Sequence, residues 1–304
     1  MSVNRGALLG VSAYLLWGLS PVYWRIEGDV ALLDVILWRA AGAALLLVGW
    51  QLLRGSFRRL RALVAQPRDF LMFVLTASLL ATNWIAFIWV VTTDRVLEAS
   101  LGYFINPMMS VALGVVVLRE RLNLVPLLTV LVAACGVLVL AVDVGAVPWT
   151  ALYLGGSFAL YGLFRKTSPA GSMDGLTIEM LVLLPFVLCW LVVRALSGDG
   201  VFGLSDIGLD VWLIGSGAMT IAPLLLFSAA ARRIELWIVG MLQFLAPTIQ
   251  FLLGVVLWDE PWGGGQALGF VLIWLALIVF VADAGLQVRR VRRISGAAVS
   301  GSSR

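Results

Sequence analysis

The chain contains no histidine, and this absence narrows the chemistry that its 304 residues can support. Histidine is the commonest metal ligand and the side chain that ordinarily titrates near neutral pH. Cysteine is nearly absent as well, since only Cys135 and Cys189 occur, each inside an apolar run that favours a buried structural role. No paired nucleophile and base and no phosphate-binding loop is evident in the sequence. We therefore expect no metal, no cofactor and no enzymatic activity.

Charged residues are scarce, at 12% of the chain, whereas 62% of the residues are apolar and the mean hydropathy is +1.03. Soluble domains contain roughly 25% charged residues, and this composition would expose too much apolar surface in water. A bilayer core requires about 20 mostly apolar residues per helical span. Ten such runs occur, at residues 5–24, 32–53, 70–92, 97–118, 124–142, 148–165, 175–196, 210–231, 236–257 and 264–286. The predicted fold class is an all-α polytopic membrane protein with ten transmembrane helices.

The charges between these runs alternate as expected for a multi-pass protein, because cytoplasmic loops carry the excess of lysine and arginine. One set of loops is basic and contains Arg5, Arg54, Arg58, Arg59, Arg61, Arg68, Arg119, Arg121, Arg165, Lys166, Arg232 and Arg233. The other set is acidic and contains Glu27, Asp29, Asp94, Asp143, Asp199, Asp206, Asp210, Asp259 and Glu260. Both termini are therefore predicted to be cytoplasmic. The basic tail indicates contact with anionic lipid rather than nucleic acid.

The chain also repeats itself at an offset of about 140 residues. Phe104, Pro107, Gly114, Val115, Val116 and Glu120 recur as Phe244, Pro247, Gly254, Val255, Val256 and Glu260. The turn after the fourth span is basic and its counterpart after the ninth is acidic, so the second copy is predicted to insert upside down. Inverted repeats are typical of secondary transporters, whose substrate site lies near the midplane between the halves. We predict one five-helix repeat over 1–145, a second over 146–286, and a disordered basic tail over 287–304.

Polar groups inside a span are costly and by default mark substrate or ion pathways. Arg39 lies about seven residues into the second span, roughly 10 Å along the helix, and Glu179 lies a turn or more into the seventh. The alternative for each is a side chain that snorkels to a headgroup or forms a structural ion pair; it is as good as function for Arg39 and weaker for Glu179, since acids snorkel poorly. Tyr14 and Trp17 lie deep in the first span, where lining an aromatic pocket and plain packing are equally good explanations. The candidate substrate-binding or coupling residues are Tyr14, Trp17, Arg39, Asn83, Glu98, Asn106, Glu179 and Gln243. Pro107 and Pro247 each remove a helical hydrogen bond and are candidate hinges.

Five stretches carry a family pattern across roughly residues 5–286. They are W-G-L-S-P-V-Y-W at 17–24, N-W-I-A-F-I-W at 83–89, L-E-A-S-L-G-Y-F-I-N-P at 97–107, L-Y-G-L-F-R-K at 160–166, and P-L-L-L-F-S-A-A-A-R-R at 223–233. The sequence thereby resembles the EamA transporters of the drug/metabolite transporter superfamily, and within it the RarD group. The resemblance implies a ten-helix bacterial inner-membrane permease with two inverted five-helix repeats. The matching positions add Tyr103 and Lys166 to the candidate residues.

Together these observations predict a secondary transporter that moves a small metabolite or drug-like solute by alternating access, with spans 1, 3, 4, 6, 8 and 9 as walls of the site. Arg39 is expected to hold an anionic group or a partner acid, and Glu98 or Glu179 is the hypothesised proton carrier. The expected partners are a small solute, protons and the lipid bilayer, and a homodimer is left open. Two alternatives remain, an integral membrane enzyme acting on lipid and a non-transporting sensor or interaction protein.

Overall fold

The computed structural model describes residues 2–24, 30–93, 96–143, 149–198, 207–259, 263 and 267–283, and the regular structure of these residues is helical. The helices are α1 (Ser2–Trp24), α2 (Leu32–Arg54), α3 (Phe57–Val64), α4 (Pro67–Thr92), α5 (Val96–Val116), α6 (Leu124–Asp143), α7 (Trp149–Thr167), α8 (Ser172–Leu196), α9 (Ile207–Ala231), α10 (Leu236–Gln243), α11 (Leu245–Leu252) and α12 (Ala267–Asp283). A π-helical turn, Leu253–Leu257, extends α11. The all-α membrane fold is confirmed, and each predicted span contains a helical segment.

Seven of these helical segments are long and apolar enough to cross a membrane, counted over the described residues. They are Asn4–Trp24, Leu32–Arg54, Pro67–Thr92, Leu124–Val142, Ser172–Leu196, Ile207–Ala231 and Leu236–Leu257. Two shorter apolar helices, Leu101–Val116 and Ala267–Asp283, accompany them. Large apolar side chains such as Leu138, Phe186 and Val211 point outward and are exposed. In lipid this arrangement is favourable, because helices satisfy their own backbone groups and present apolar side chains to the hydrocarbon.

The basic stretch between the second and third spans is helical, whereas the sequence suggested a plain loop. α3 places Leu60 at 4% exposure against Phe73, Ala170 and Ile178. The arginines of this helix lie on the opposite, exposed face. A short helix with one buried leucine and several arginines is amphipathic, which suits a position at the membrane surface.

The helix pairings reflect the 140-residue repeat. α5 packs on α7, and its counterpart, the α10–α11 pair, packs on α1. α1 and α2 both pack on α9, and their counterparts α7 and α8 both pack on α4. In addition, α5 packs on its own counterpart α10, and α2 packs on its own counterpart α8. Exchanging the halves therefore reproduces the main contacts, as expected for two related five-helix units.

The backbone carries the same repeat at one unusual position. Among the described residues other than glycine, only Arg119 and Asp259 have a positive φ, 56° and 52°. They are 140 residues apart and follow equivalent helices. Such a backbone conformation is uncommon outside glycine, so its recurrence supports a common origin for the two turns. The predicted boundary at 145/146 and the tail 287–304 lie outside the described residues.

α2 and α9 cross with their backbones in direct contact. A Cβ added to Gly42 would lie 2.5 Å from the carbonyl oxygen of Ile214, and one added to Gly217 would meet the backbone of Gly42 and Ala43. A side chain at either position would overlap the backbone of the facing helix, so the two glycines permit the crossing. The crossing fixes the position of Arg39, which lies one turn before Gly42 on α2.

The two candidate hinge prolines differ in their surroundings. α5 continues through Pro107 without interruption. The ninth span instead breaks at Phe244 between α10 and α11, three residues before Pro247. Proline lacks the amide that would bond the carbonyl of residue 243 and its ring clashes with that carbonyl. The break places Gln243 at the end of α10, beside the cavity described next.

Candidate functional site

A cavity of about 650 Å³ lies between the two halves of the bundle. Along α1 it extends from Trp24 at the helix end to Tyr14 at the helix middle, roughly 15 Å at 1.5 Å per residue. This depth is about half of a 30 Å hydrocarbon core. The predicted walls, spans 1, 3, 4, 6, 8 and 9, all contribute residues, and α2 contributes an additional wall that the prediction omitted.

The inner end of the cavity is an aromatic floor. Tyr14, Trp17 and Phe158 line the cavity and pack around Phe227, which is fully buried. Tyr161 stacks beneath Phe227 with 6.1 Å between ring centroids. Contacts between large rings contribute packing energy beyond their area burial. The floor therefore separates the cavity from the opposite end of the protein.

Arg39 lies on the α2 wall between two tryptophan rings. Its guanidinium carbon is 4.7 Å from the ring centroid of Trp84 and 5.8 Å from that of Trp24. Such cation–π contacts stabilise a charge that has left water. The Nε of Arg39 is buried and has no hydrogen-bond partner among the described residues.

Hydrogen bonds fix two of the amide side chains that line the cavity, those of Asn83 and Gln243. Asn83 on α4 donates to the carbonyl of Leu154 and to the Ser157 hydroxyl, both at 2.9 Å. Ser110 donates to Gln243 Oε1 at 3.1 Å, which leaves Gln243 Nε2 without a partner. Fixed carbonyl and hydroxyl contacts therefore determine which polar atom of each amide faces the cavity.

Buried polar atoms without a partner all belong to residues that line this cavity. Among the described residues they are Tyr14 Oη, Arg39 Nε, Asn106 Oδ1, Trp212 Nε1 and Gln243 Nε2. Unsatisfied buried polar groups are rare in native proteins and usually mark a functional requirement. Their collection around one space identifies the cavity as the candidate binding site.

Most of the predicted site residues lie together around this space. Seven of the ten line the cavity, namely Tyr14, Trp17, Arg39, Asn83, Tyr103, Asn106 and Gln243, and so does the hinge candidate Pro247. The side chain of Glu98 lies outside the described residues, although its backbone belongs to α5 one turn before Gly102, which lines the cavity. Glu179 and Lys166 lie beyond the floor, in two polar clusters at the opposite end.

The first of these clusters is a buried ion pair between Arg165 and Glu179. Both side chains are fully buried, and Arg165 Nη1 lies 3.3 Å from Glu179 Oε1. Thr76 and Tyr161 also donate to the Glu179 carboxylate, at 2.8 and 3.1 Å. Arg165 Nε donates to the Ser228 hydroxyl at 3.0 Å. The cluster joins α4, α7, α8 and α9, so it ties helices of both halves together.

The second cluster surrounds Glu120, which follows α5. Its carboxylate accepts the backbone amides of Leu236 and Trp237 at 2.7 and 3.0 Å, at the start of α10. A carboxylate at this position satisfies orphan helix amides and complements the helix dipole. Lys166 Nζ lies 3.5 Å from Glu120 and donates to the carbonyl of Ile234 at 2.5 Å. This cluster also links the two halves and closes the end opposite the cavity.

Sequence reasoning missed Arg165 and the tryptophans around Arg39. Arg165 forms a basic pair with Lys166 and was taken for a loop cation, whereas it is buried within the bundle. Trp24 and Trp212 lie near span ends, where tryptophan is usually an interfacial residue, but here both line the cavity. The feature of the sequence that could have indicated this role is the number of tryptophans, 13 in the chain, several of which are close to Arg39 in the sequence.

Comparison with known proteins gives the family. The profile of the EamA-like transporter family matches residues 4–142. The chain is 37% identical over 287 residues to Protein RarD of Escherichia coli K12, covering 94% of this chain and 97% of that protein. It is 38% identical over 299 residues to Protein RarD of Streptomyces exfoliatus, covering 97% and 94% of the two chains. The chain belongs to the EamA-like transporter family.

Other similarities agree with this membership. An uncharacterised transporter of Pseudomonas aeruginosa is 36% identical over 293 residues, covering 95% of this chain and 97% of that protein. A solved crystal structure that is 21% identical superposes with a TM-score of 0.67 over 95% of this chain and 99% of the other, which shows a shared fold. The family resemblance predicted from the sequence is confirmed, and as an EamA-like transporter the chain is a multi-pass membrane protein with a transport role.

Proposed function

We propose that this protein is a secondary transporter that carries a small solute across the bacterial inner membrane by alternating access through the central cavity. The observation that supports the proposal is the set of unpaired buried polar atoms around one space of about 650 Å³. This volume falls within the usual range of small-molecule sites. The cavity is bordered by both halves, as expected for a site that opens to either side in turn.

We infer that the described state is one of the two that such a cycle requires. The cavity reaches the bundle end that holds Trp24, Val30 and Trp212, and the aromatic floor and two polar clusters lie at the other end. On the charge pattern of the loops we propose that this closed end faces the cytoplasm, with both termini there. With this orientation the described state is open to the outside, and solute release inward requires the Glu120 contacts with α10 to break.

Proton coupling is proposed through Glu98 rather than Glu179. Glu179 is committed to Arg165, Thr76 and Tyr161 beyond the floor. Glu98 lies one helical turn from Gly102 and two turns from Asn106, both of which line the cavity. The Glu98 carboxyl group is therefore the proposed site of proton exchange as a solute enters or leaves.

Transport through the cavity is tested with Thr220→Cys, since Thr220 lines the cavity on α9 and is buried at 4% exposure. Uptake of a panel of radiolabelled metabolites into proteoliposomes is measured before and after reaction with a bulky, membrane-impermeant thiol reagent. We expect at least one solute to be transported, and the reagent to block its flux in the variant. The wild-type protein is the matched control, because Cys135 and Cys189 do not line the cavity. Both are exposed on the surface of the bundle, so the predicted buried role was wrong.

The same assay separates the alternatives. A sensor or interaction protein would bind solutes without moving them, and a lipid-directed enzyme would leave every solute where it was. Either result contradicts the proposed function.

Proton coupling is tested with the same flux assay. Collapsing the proton gradient should slow the flux, and Glu98→Gln should remove this dependence on the gradient. Unchanged flux in both cases would contradict proton coupling.

A further inference from the structure

The charge of the cavity indicates the class of solute that it accepts, an inference that rests on the proposed transport function. Arg39 is the only charged residue among the described residues that line the cavity. The other polar lining residues are neutral, and the remaining lining is apolar or aromatic. A buried positive charge is costly unless a negative group accompanies it. The lining therefore favours a solute that brings one negative charge.

Arg39 is available for such a group. The ion pairs among the described residues involve Arg59, Arg165, Lys166 and Arg194, and none of them includes Arg39. The two tryptophan rings beside its guanidinium offer their faces, which stabilises the cation without occupying its hydrogen-bond donors. Arginine presents several donors in a planar fork that matches a carboxylate. The geometry thus leaves donors of Arg39 free for an incoming acceptor.

The other unpaired atoms favour an acceptor-rich group as well. Trp212 Nε1 and Gln243 Nε2 can only donate, and Tyr14 Oη can donate. Asn106 Oδ1 is the one obligate acceptor in this set. Trp212 and Arg39 both border Trp24, at 5.8 Å from its ring in each case. Three of these four further atoms can therefore donate hydrogen bonds to the oxygens of an anion in the cavity.

The walls indicate the body of the solute. Tyr14, Trp17 and Phe158 form the floor, and Trp84 and Trp212 form part of the sides. Aromatic walls favour flat apolar groups, which stack or pack edge to face against them. The aromatic floor therefore suits a planar ring system, and Arg39 on the α2 wall suits its charged end.

A cationic or zwitterionic solute would lack a partner for its ammonium group, because no carboxylate is present among the described lining side chains. Asp34 adjoins the lining residue Val35 along the chain but is paired with Arg194. Glu98 precedes the lining residue Gly102 by one turn of α5. Glu98 therefore has to be included in any test of charge preference.

We propose that the cavity binds an organic monoanion with a planar aromatic body and one carboxylate, with the carboxylate on Arg39 and the ring against the aromatic floor. The proposal excludes amino-acid zwitterions and cationic drugs as preferred ligands. It adds a chemical class to the transport function without changing the proposed cycle.

The test is isothermal titration calorimetry of the purified full chain in lipid nanodiscs with four compounds that share one ring system. Naphthylacetate, naphthylacetamide, naphthylethylamine and naphthylalanine carry an anionic, a neutral, a cationic and a zwitterionic group. We expect naphthylacetate to bind at least ten-fold more tightly than each of the other three. Charge-assisted hydrogen bonds at a buried site support a difference of this size.

Variants identify the groups responsible. Arg39→Gln should weaken naphthylacetate binding by about ten- to a hundred-fold and abolish the preference over the amide, and Arg39→Lys should retain part of that preference because it keeps the charge. Arg68→Gln is the matched control, because Arg68 is exposed at the start of α4.

The tryptophan beside Arg39 is tested in the same way. Trp84→Leu should weaken binding. Trp50→Leu should leave binding unchanged, although Arg54 lies 4.7 Å from the Trp50 ring in the same type of cation–π contact. Glu98→Gln should leave the preference for the anion intact.

The inference is overturned if the amide or amine binds as tightly as naphthylacetate, if naphthylalanine binds best and loses this advantage in Glu98→Gln, or if none of the four compounds binds. Each of these results is compatible with transport of another solute, which the Thr220→Cys flux experiment detects independently. Conversely, anion binding without any flux would support the site while contradicting the proposed function.

Discussion

Arg165 and Glu179 are buried charged residues that lie outside the cavity, and their expected effect is on stability. Both are fully buried beyond the cavity floor, and the carboxylate of Glu179 receives three donors. A buried ion pair has a large desolvation cost, so its net contribution is modest while both partners are present. Removing one partner leaves the other charge buried and uncompensated, which is far more destabilising.

This pair therefore predicts a non-additive stability pattern. Arg165→Met should lower the free energy of unfolding by about 3–5 kcal/mol, whereas Arg165→Met with Glu179→Met should recover much of the loss. Arg59→Met is the matched control, because Arg59 pairs with Asp174 while 71% exposed and surface pairs contribute only about 0–1 kcal/mol. The measurement is denaturant unfolding in detergent micelles, and equal losses for Arg165→Met and Arg59→Met would contradict the prediction.

The sequence predicted the residue types around the cavity better than the partners of each residue. Arg39, Asn106 and Gln243 are polar groups inside apolar runs, and the cost of such groups in lipid is visible from sequence alone. The partner of Glu179 was not predictable, because Arg165 adjoins Lys166 at the end of a span and resembles a topology signal. Its burial results from contacts with Gly175 and Glu179 on α8 and with Ser228 on α9, which are tertiary contacts.

At the scale of elements, the α2–α9 crossing sets the shape of the cavity. Gly42 and Gly217 bring the two backbones together next to the cavity walls formed by Arg39 and Thr220. Without a hydrophobic driving force between helices in lipid, such close approach supplies much of the packing energy. A side chain at this crossing would separate the helices and displace both walls.

Gly217→Ala is therefore expected to destabilise the protein by about 1–3 kcal/mol through overpacking, and to reduce solute flux. Gly49→Ala on α2 is the matched control, since a Cβ there has no neighbour within 4 Å. The control should be neutral or stabilising by up to about 1 kcal/mol, because alanine is the better helix former. Thermal unfolding and proteoliposome flux of both variants check the prediction, which is wrong if the two variants behave alike.

The helices could be predicted from the sequence where a long apolar run determines them, and they were harder to predict elsewhere. All ten spans contain helices because roughly 20 apolar residues in succession leave few alternatives in a bilayer. The break of the ninth span at Phe244 follows from Pro247, but the uninterrupted α5 around Pro107 shows that proline alone does not determine a break. The helix α3 was missed because its arginines obscured the single buried Leu60, whose partners lie on other helices.

The whole molecule combines two related halves that polar contacts join at both ends. The Arg165 and Glu120 clusters join the halves at the closed end, and the Arg194–Asp34 ion pair joins α8 to α2 beside the cavity. The repeat in sequence, the exchange of helix pairings and the paired positive-φ residues Arg119 and Asp259 agree with this architecture. Alternating access would require the closed end to open as the other end closes.

The most direct test of this account is the side from which a cysteine at Thr220 reacts in membrane vesicles of known orientation. In an otherwise unaltered chain it should react with an impermeant thiol reagent from the extracytoplasmic side. Adding Glu120→Gln, which weakens the link to Lys166 and α10, should raise its reactivity from the cytoplasmic side several-fold. Glu235→Gln is the matched control, because the Glu235 carboxylate accepts a hydrogen bond from Trp237 Nε1 of the adjoining helix α10. Reactivity from one side alone in every variant, or an equal change in the control, would contradict the account.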